Sequence, residues 1–213
     1  MSITSAASSP LDTPCCVSCS RMKRLLDFVG ACFAIMLLTP LMIVVAGAIA
    51  VDSRGPILFR QNRTGLHGRP FRIFKFRTMT VMEDGATIQQ ATQKDARVTR
   101  VGAFLRRSSI DELPQLFNVV RGDMSLVGPR PHALAHDQHF GALIPDYLER
   151  FRARPGITGL AQVRGLRGEI RSLEQMEERV EKDNDYIENW SIWRDVAILV
   201  ATVVLVPFHR NAY

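Results

Sequence analysis

Residues Phe28 to Val51 read FVGACFAIMLLTPLMIVVAGAIAV, 24 positions without a charge. As one helix this run is roughly 36 Å long, enough to cross the roughly 30 Å hydrocarbon core of a bilayer. Two features point away from a simple crossing. Pro40 lies at the middle, where it removes a backbone hydrogen bond and crowds the preceding turn. Both flanks are basic, with Arg21, Lys23 and Arg24 before the run and Arg54, Arg60 and Arg63 after it. Positive residues favour the cytoplasmic side, so both ends are drawn to the same face. A re-entrant helix broken at Thr39-Pro40 satisfies both facts: each half reaches roughly 18 Å, and the Thr39 hydroxyl can bond back to a freed carbonyl. The competing reading is a proline-kinked helix that spans. A cleaved signal peptide is disfavoured, because the run is too long and carries a central proline.

Outward from this segment the chain divides into four parts. Residues 1–20 are rich in Ser, Thr, Pro and Ala and read as a flexible tail. Its Cys16-x-x-Cys19 has no second Cys or His pair nearby and is not read as a metal site. Residues 21–52 are the re-entrant segment, and 53–189 are expected to form the cytosolic domain. Residues 190–213 carry a second apolar run, Val196 to Phe208, whose 13 residues are too few to cross. With Trp190 and Trp193 ahead of it and His209 and Arg210 after, that run is expected to lie on the membrane surface, a buried core helix being the alternative. Beyond Cys32 there is no cysteine, which excludes a disulfide framework and fits a reducing compartment.

The 213 residues are 46% apolar and 23% charged, with a net charge of +6, which excludes a disordered chain and suits one domain with appendages. The charge is segregated. Residues 53–82 hold Arg54, Arg60, Arg63, Arg69, Arg72, Lys75 and Arg77 and no acid before Glu83, whereas Glu169 to Glu188 is strongly acidic. In the latter, Leu173, Met176, Val180 and Ile187 keep helical spacing and predict a solvated amphipathic helix. A basic block beside a membrane segment implies an anionic lipid or substrate. No helix-turn-helix, zinc-finger or RNP pattern supports nucleic acid. Residues 71–77, FRIFKFR, read as a strand with Phe74 and Phe76 on its core side and Lys75 and Arg77 on the other, two cations suited to a diphosphate.

The chemistry concentrates in Arg106 to Gly122, RRSSIDELPQLFNVVRG. Leu113, Leu116, Phe117 and Val120 share one helical face, Gly122 suits its end, and Pro114 belongs in its first turn. The helix start therefore falls near Ile110 or Asp111, and Ser109-x-x-Glu112 resembles a capping box. Asp111 and Glu112 are placed at a helix N-terminus, where carboxylates are favoured. Nearby, Gly128-Pro-Arg-Pro131 presents Arg130 on a stiff backbone with little entropy to lose. Arg152 and Arg154 precede Pro155-Gly-Ile-Thr-Gly-Leu-Ala-Gln-Val163, read as a turn leading into a strand at 160–164, and are candidate nucleotide or phosphate contacts. Paired carboxylates among Arg and Lys beside a membrane segment point to phosphoryl chemistry on a lipid, with Mg²⁺ bridging like charges or with one carboxylate as nucleophile.

Taken in order, Lys23-Arg-Leu-Leu-Asp27, Gly55-Pro-Ile-Leu-Phe-Arg-Gln61, Phe74-Lys-Phe-Arg-Thr-Met79, Ser109-Ile-Asp-Glu-Leu-Pro-Gln115, Gly122-Asp-Met-Ser-Leu-Val-Gly-Pro-Arg-Pro131, the Pro155 to Gln162 block and Trp190-Ser-Ile-Trp193 resemble the bacterial sugar transferases, small monotopic phosphoglycosyl transferases. The resemblance implies an α+β fold, mostly helical, with few short strands around 57–77 and 160–164 and a re-entrant anchor. It implies transfer of a hexose 1-phosphate from a UDP-sugar to undecaprenyl phosphate at the cytoplasmic face of the bacterial inner membrane, releasing UMP. Asp111 is then the nucleophile that forms a phospho-sugar intermediate, and Glu112 is its partner. Both carboxylates are Mg²⁺ candidates, and Lys75 and Arg130 match positions that hold phosphate; Arg77 joins them as a phosphate-binding candidate on strand alternation and charge. The family's Ser-Pro break is replaced here by Thr39-Pro40. A non-catalytic membrane scaffold and a Mg²⁺-dependent lipid phosphatase are the alternatives; the sugar and the oligomeric state have no signature.

Overall fold

The computed structural model describes residues 15–80, 95–168, 170 and 172–205. A short helix α1 (Cys16–Cys19) leads into α2 (Arg21–Asp52), whose N-terminus is capped by the Ser20 hydroxyl accepting from the Lys23 amide at 3.2 Å. The expected interruption at Thr39-Pro40 is not a gap in the helix. Helical bonding runs through Pro40, and the Thr39 hydroxyl donates to the Ile35 carbonyl at 2.6 Å. A proline removes one amide donor, and hydroxyl back-bonding supports the turn around it, so helical structure survives.

Both halves of α2 lie against the same domain. Near its start, Lys23 pairs with Asp195 at 2.8 Å, and Asp27 accepts from the Ser125 hydroxyl and the Leu126 amide at 2.8 and 3.0 Å. Arg24 donates to the Val119 and Val120 carbonyls. Ala31 packs with Ile73, Leu116, Val119 and Met124, and further along Met42, Val45 and Ile49 pack with Phe76 and Leu105. The other face leaves Leu26, Phe33, Met36, Leu37, Ile43 and Val44 exposed. By length and composition α2 is able to cross a membrane, and only 17% of its most apolar stretch is covered by protein. A face this large and this apolar could anchor the chain in a membrane.

The hairpin β1 (Leu58–Thr64) and β2 (Pro70–Phe76) pairs antiparallel, with Gln61 opposite Ile73 and Phe59 opposite Lys75. Ile73 and Phe76 enter the core, but Phe74 does not; it lies half-buried beneath the guanidinium groups of Arg60 and Arg121. Helix α3 (Arg100–Ser108) follows, then a 3-10 turn (Ile110–Glu112) and α4 (Gln115–Arg121), closed by Gly122 at φ 93 as the sequence predicts. A second small sheet pairs β3 (Ser125–Val127) parallel to β4 (Gly156–Thr158). Gly128 and Gly156 are glycine for one reason: their backbones meet so closely that a Cβ on either would strike the other strand.

Helices α5 (Leu134–Gly141), α6 (Leu160–Val163), α7 (Leu173–Glu188) and α8 (Ile192–Leu205) are the remaining α-helices among the described residues. The strand expected at 160–164 is instead α6. The extended segment ends at Thr158 because Gly159 passes against the Gly128 carbonyl, and the Val163 and Arg164 amides bond back to Gly159 and Leu160. The acidic helix is borne out as α7, with Met176, Val180 and Ile187 buried. The last part of the supposed tail is folded: Cys15 and Val17 are buried with Val127, Ala153, Leu160 and Tyr186. Residues 1–14 lie outside the described residues. Helix α8 starts before Trp193, which is exposed along with Val196, Val200 and Val203, while Ile198 turns inward. One face of α8 is thus exposed and the opposite face packs into the domain; Phe208, His209 and Arg210 lie outside the described residues.

Candidate active site

The turn Ser109–Glu112 is where α3, β2 and α4 converge. Ser109 takes the left-handed conformation, φ 58, an uncommon choice for a residue with a side chain. The predicted capping box does not form. The Ser109 hydroxyl accepts from Arg167 at 2.7 Å, Glu112 reaches away from the helix, and the α-helix begins only after Pro114. Asp111 and Glu112 therefore occupy a 3-10 turn ahead of α4, and burial and the charges around them, rather than a helix dipole, set their behaviour.

Glu112 is buried and surrounded by cations. Lys75 Nζ donates to it at 2.9 Å, Arg130 at 2.6 Å, and Arg167 stands 3.8 Å away. Burial disfavours its charge, yet Arg130, Lys75 and Arg167 overcome that and hold the carboxyl well below the usual range. Asp111, next in the chain, behaves oppositely. Burial raises it from 3.8 to about 6, with Lys75 opposing and the Glu112 charge adding to the rise. Among the described residues no hydrogen bond or ion pair ties down its carboxylate, and Arg106 and Arg130 are further cations near it. Burial lowers Lys75 despite the pull of Glu112. Two adjacent carboxyls are thus driven apart: one locked as an anion among cations, the other half-buried and more basic.

Of the residues marked out by the sequence, Asp111, Glu112, Lys75 and Arg130 come together. Arg77 does not. It is buried at the C-terminal end of α2, donating to the Pro56 carbonyl at 2.6 Å, the Ser53 carbonyl at 2.6 Å and the Ser53 hydroxyl at 2.9 Å. Strand alternation placed it beside Lys75, but β2 ends at Phe76, so Arg77 no longer follows the pleat. Arg152 pairs with Glu149 at 2.7 Å, and Arg154 donates to the Gly122 carbonyl at 3.1 Å; neither is a partner of Glu112. Arg167 was not singled out. It sits in the loop Arg164-Gly-Leu-Arg-Gly168, which has no local signature, and only the fold brings it to Ser109 and Glu112.

The profile of the family described as bacterial sugar transferase matches residues 18–209. The chain belongs to the bacterial sugar transferase family. A UDP-glucose:undecaprenyl-phosphate glucose-1-phosphate transferase of Caulobacter vibrioides is 55% identical over 92% of this chain and 74% of its own length. A protein of the same description from Xanthomonas campestris pv. campestris is 53% identical over 90% of this chain but 40% of its own. A UDP-N-acetylgalactosamine-undecaprenyl-phosphate N-acetylgalactosaminephosphotransferase of Aeromonas hydrophila is 44% identical over 85% of this chain and 43% of its own. The chain thus spans less than half of two of these relatives and about three-quarters of the other.

The donor groups bear on Mg²⁺. Among the described residues no cluster of three or more His, Cys, Asp or Glu side chains forms a metal site. Both Glu112 oxygens already face cations, which makes it a poor ligand in this arrangement. Asp111 is the carboxylate with an oxygen to offer. The residues fit a magnesium site in which one carboxylate joins substrate phosphate oxygens, the common mode for that ion, but not a cage built by the protein alone.

Proposed function

We propose that this sugar transferase moves glucose 1-phosphate from UDP-glucose to a polyprenyl phosphate such as undecaprenyl phosphate at the inner face of the bacterial membrane, as the first membrane step of exopolysaccharide or related glycan assembly. The observation that carries this reading is the divided carboxylate pair: Glu112 fixed among Lys75, Arg130 and Arg167, and Asp111 half-buried with a raised pKa. An Asp111 oxygen attacks the β-phosphorus of UDP-glucose. The bond from that phosphorus to the bridging oxygen breaks, UMP leaves with the bridging oxygen, and an aspartyl phospho-glucose remains. A phosphate oxygen of the acceptor then attacks the same phosphorus, the aspartyl P–O bond breaks, and the carboxylate returns. Lys75, Arg130 and Arg167 face the diphosphate, and Glu112 keeps them gathered before the donor arrives. Asp111 would be the residue to hold a Mg²⁺ ion beside the substrate phosphates, where the ion would supply charge neutralisation.

The same reading makes the protein monotopic. Charged and apolar anchors on both halves of α2 engage one domain, from Lys23–Asp195 to Ile49 beside Leu105, so a transverse crossing would drag that domain into the bilayer. Re-entry or shallow embedding, with both basic flanks at the cytoplasmic face, leaves the opposite apolar face of α2 and the exposed face of α8 to lipid. The acceptor tail then stays in the membrane while its phosphate reaches Asp111.

The test uses purified protein with UDP-glucose and no acceptor. Mass spectrometry should find a hexose-phosphate adduct on Asp111 and one equivalent of UMP released. Normal turnover with acceptor but no adduct under any quench would refute the covalent route. Release of inorganic phosphate from the lipid phosphate would replace the assignment with a phosphatase. UDP-N-acetylgalactosamine and UDP-galactose run alongside decide the sugar.

A further inference from the structure

Behind the site lies a buried polar cluster that the proposed chemistry does not touch. Arg150, in the 3-10 segment Tyr147–Arg152, is fully buried and donates Nε to Asp183 on α7 at 2.9 Å. Its Nη1 lies 3.1 Å from His132 Nδ1, and its Nη2 donates to the backbone carbonyl of Arg130 at 2.8 Å. Arg179, one turn before Asp183 on α7, reaches the other ring nitrogen of His132 at 3.5 Å and the Gly168 carbonyl at 3.4 Å. His132 sits between the two guanidinium groups; burial and these neighbours push it well below its usual range, so the ring is neutral. Tyr147 closes the cluster, donating to Asp137 at 2.7 Å, and Asp137 accepts from Thr64 on β1 at 2.6 Å.

The two carbonyls held here belong to Arg130 and to the neighbour of Arg167. These are the two guanidinium groups that converge on Glu112 from different loops. We propose that Arg150 and Arg179 are positioning residues: anchored by Asp183 and His132, they fix the backbones of the Arg130 and Arg167 loops and so set where those cations meet the donor diphosphate. Buried ion pairs are poor sources of net stability compared with apolar packing of the same volume. Orientation gives a better reason for two buried arginines to donate to these two carbonyls. Lysine in either place keeps the charge but loses the planar fork that lets one side chain reach several acceptors.

This inference rests on the proposed transfer activity, and double-mutant cycles test it. Arg150→Lys should lower kcat/KM for the sugar donor about 10²-fold, the loss expected when a reacting geometry shifts by about 1 Å. In an Arg130→Lys background the same change should cost less than about 3-fold, because the group it positions is already displaced. Arg179→Lys paired with Arg167→Lys reads the second loop in the same way, and serves alone if Arg150→Lys does not fold. Melting curves of each variant set the folded fraction used to normalise rates. Equal losses in both backgrounds, or losses that track the folded fraction, would overturn the proposal. A wild-type protein that releases no UMP would instead sink the transfer activity itself, which keeps the two failures apart.

Discussion

Asp111→Asn should abolish turnover and yet make the protein more stable. Burial lifts the Asp111 carboxyl from 3.8 to about 6. At pH 8 the side chain is ionised in both folded and unfolded chains, but its ionised form is the less favourable one when folded. At about 1.4 kcal/mol per pH unit, that rise is worth about 3 kcal/mol against the native state. The rise is already net of attraction to Lys75 and Arg130, and the amide's own polar atoms lose water on burial, so about 3 kcal/mol is a ceiling. For a domain of this size it corresponds to a melting temperature higher by about 6–12 °C at most. The sign follows from linkage. The unfolded carboxyl releases its proton first, so the penalty is absent below about pH 4, grows as pH rises, and is complete above about pH 6. At pH 5 the gap should be about half its value at pH 8. The assay is thermal unfolding of wild-type and Asp111→Asn protein in the same detergent at pH 5 and pH 8, with UMP release measured in parallel. A variant that melts at or below wild type at pH 8, or a gap unchanged at pH 5, would refute burial as the source of Asp111's reactivity.

Three further outcomes follow from the geometry. The acid limb of kcat/KM for the donor should fall near pH 6, since Asp111 attacks only when ionised; a limb near pH 4 in a pH–rate profile would contradict this. Arg77→Met should lower stability by about 3 kcal/mol through lost charged hydrogen bonds to Pro56 and Ser53, while KM for donor in the folded fraction stays within about 2-fold of wild type; a large rise in KM would return Arg77 to the phosphate site. Glu112→Gln leaves Lys75, Arg130 and Arg167 without their anion and should both cut kcat at least about 10²-fold and lower stability by about 3–5 kcal/mol. Added inorganic phosphate should recover part of that stability in thermal melts of the variant, and no recovery at millimolar phosphate would argue against a converging cation cradle.

Local pattern carried much of this protein. The uncharged run from Phe28 to Val51, with its basic flanks, marked the membrane segment because hydrophobicity and length need no tertiary context. Period 3.6 found α7, period 2 found β2, and Gly122 ended α4, since each reflects backbone geometry confined to a few residues. Ordered blocks singled out Asp111, Glu112, Lys75 and Arg130, which the fold brings together. What failed was whatever depended on a neighbour distant in sequence. Arg77 obeys strand alternation on paper but turns to the carbonyls that end α2. Ser109 looks like a cap and instead receives Arg167 from 58 positions away. The stretch after Gly159 looks like a strand, but the close passage over Gly128 turns it into a helix. The sequence alone determined which groups carry charge, which segment seeks lipid, and which aspartate and glutamate stand side by side. Only the tertiary structure decided that one of those carboxyls is neutralised by three cations from separate elements while the other is buried with its charge disfavoured, because burial and Coulomb energy depend on distances through space that no local spacing encodes.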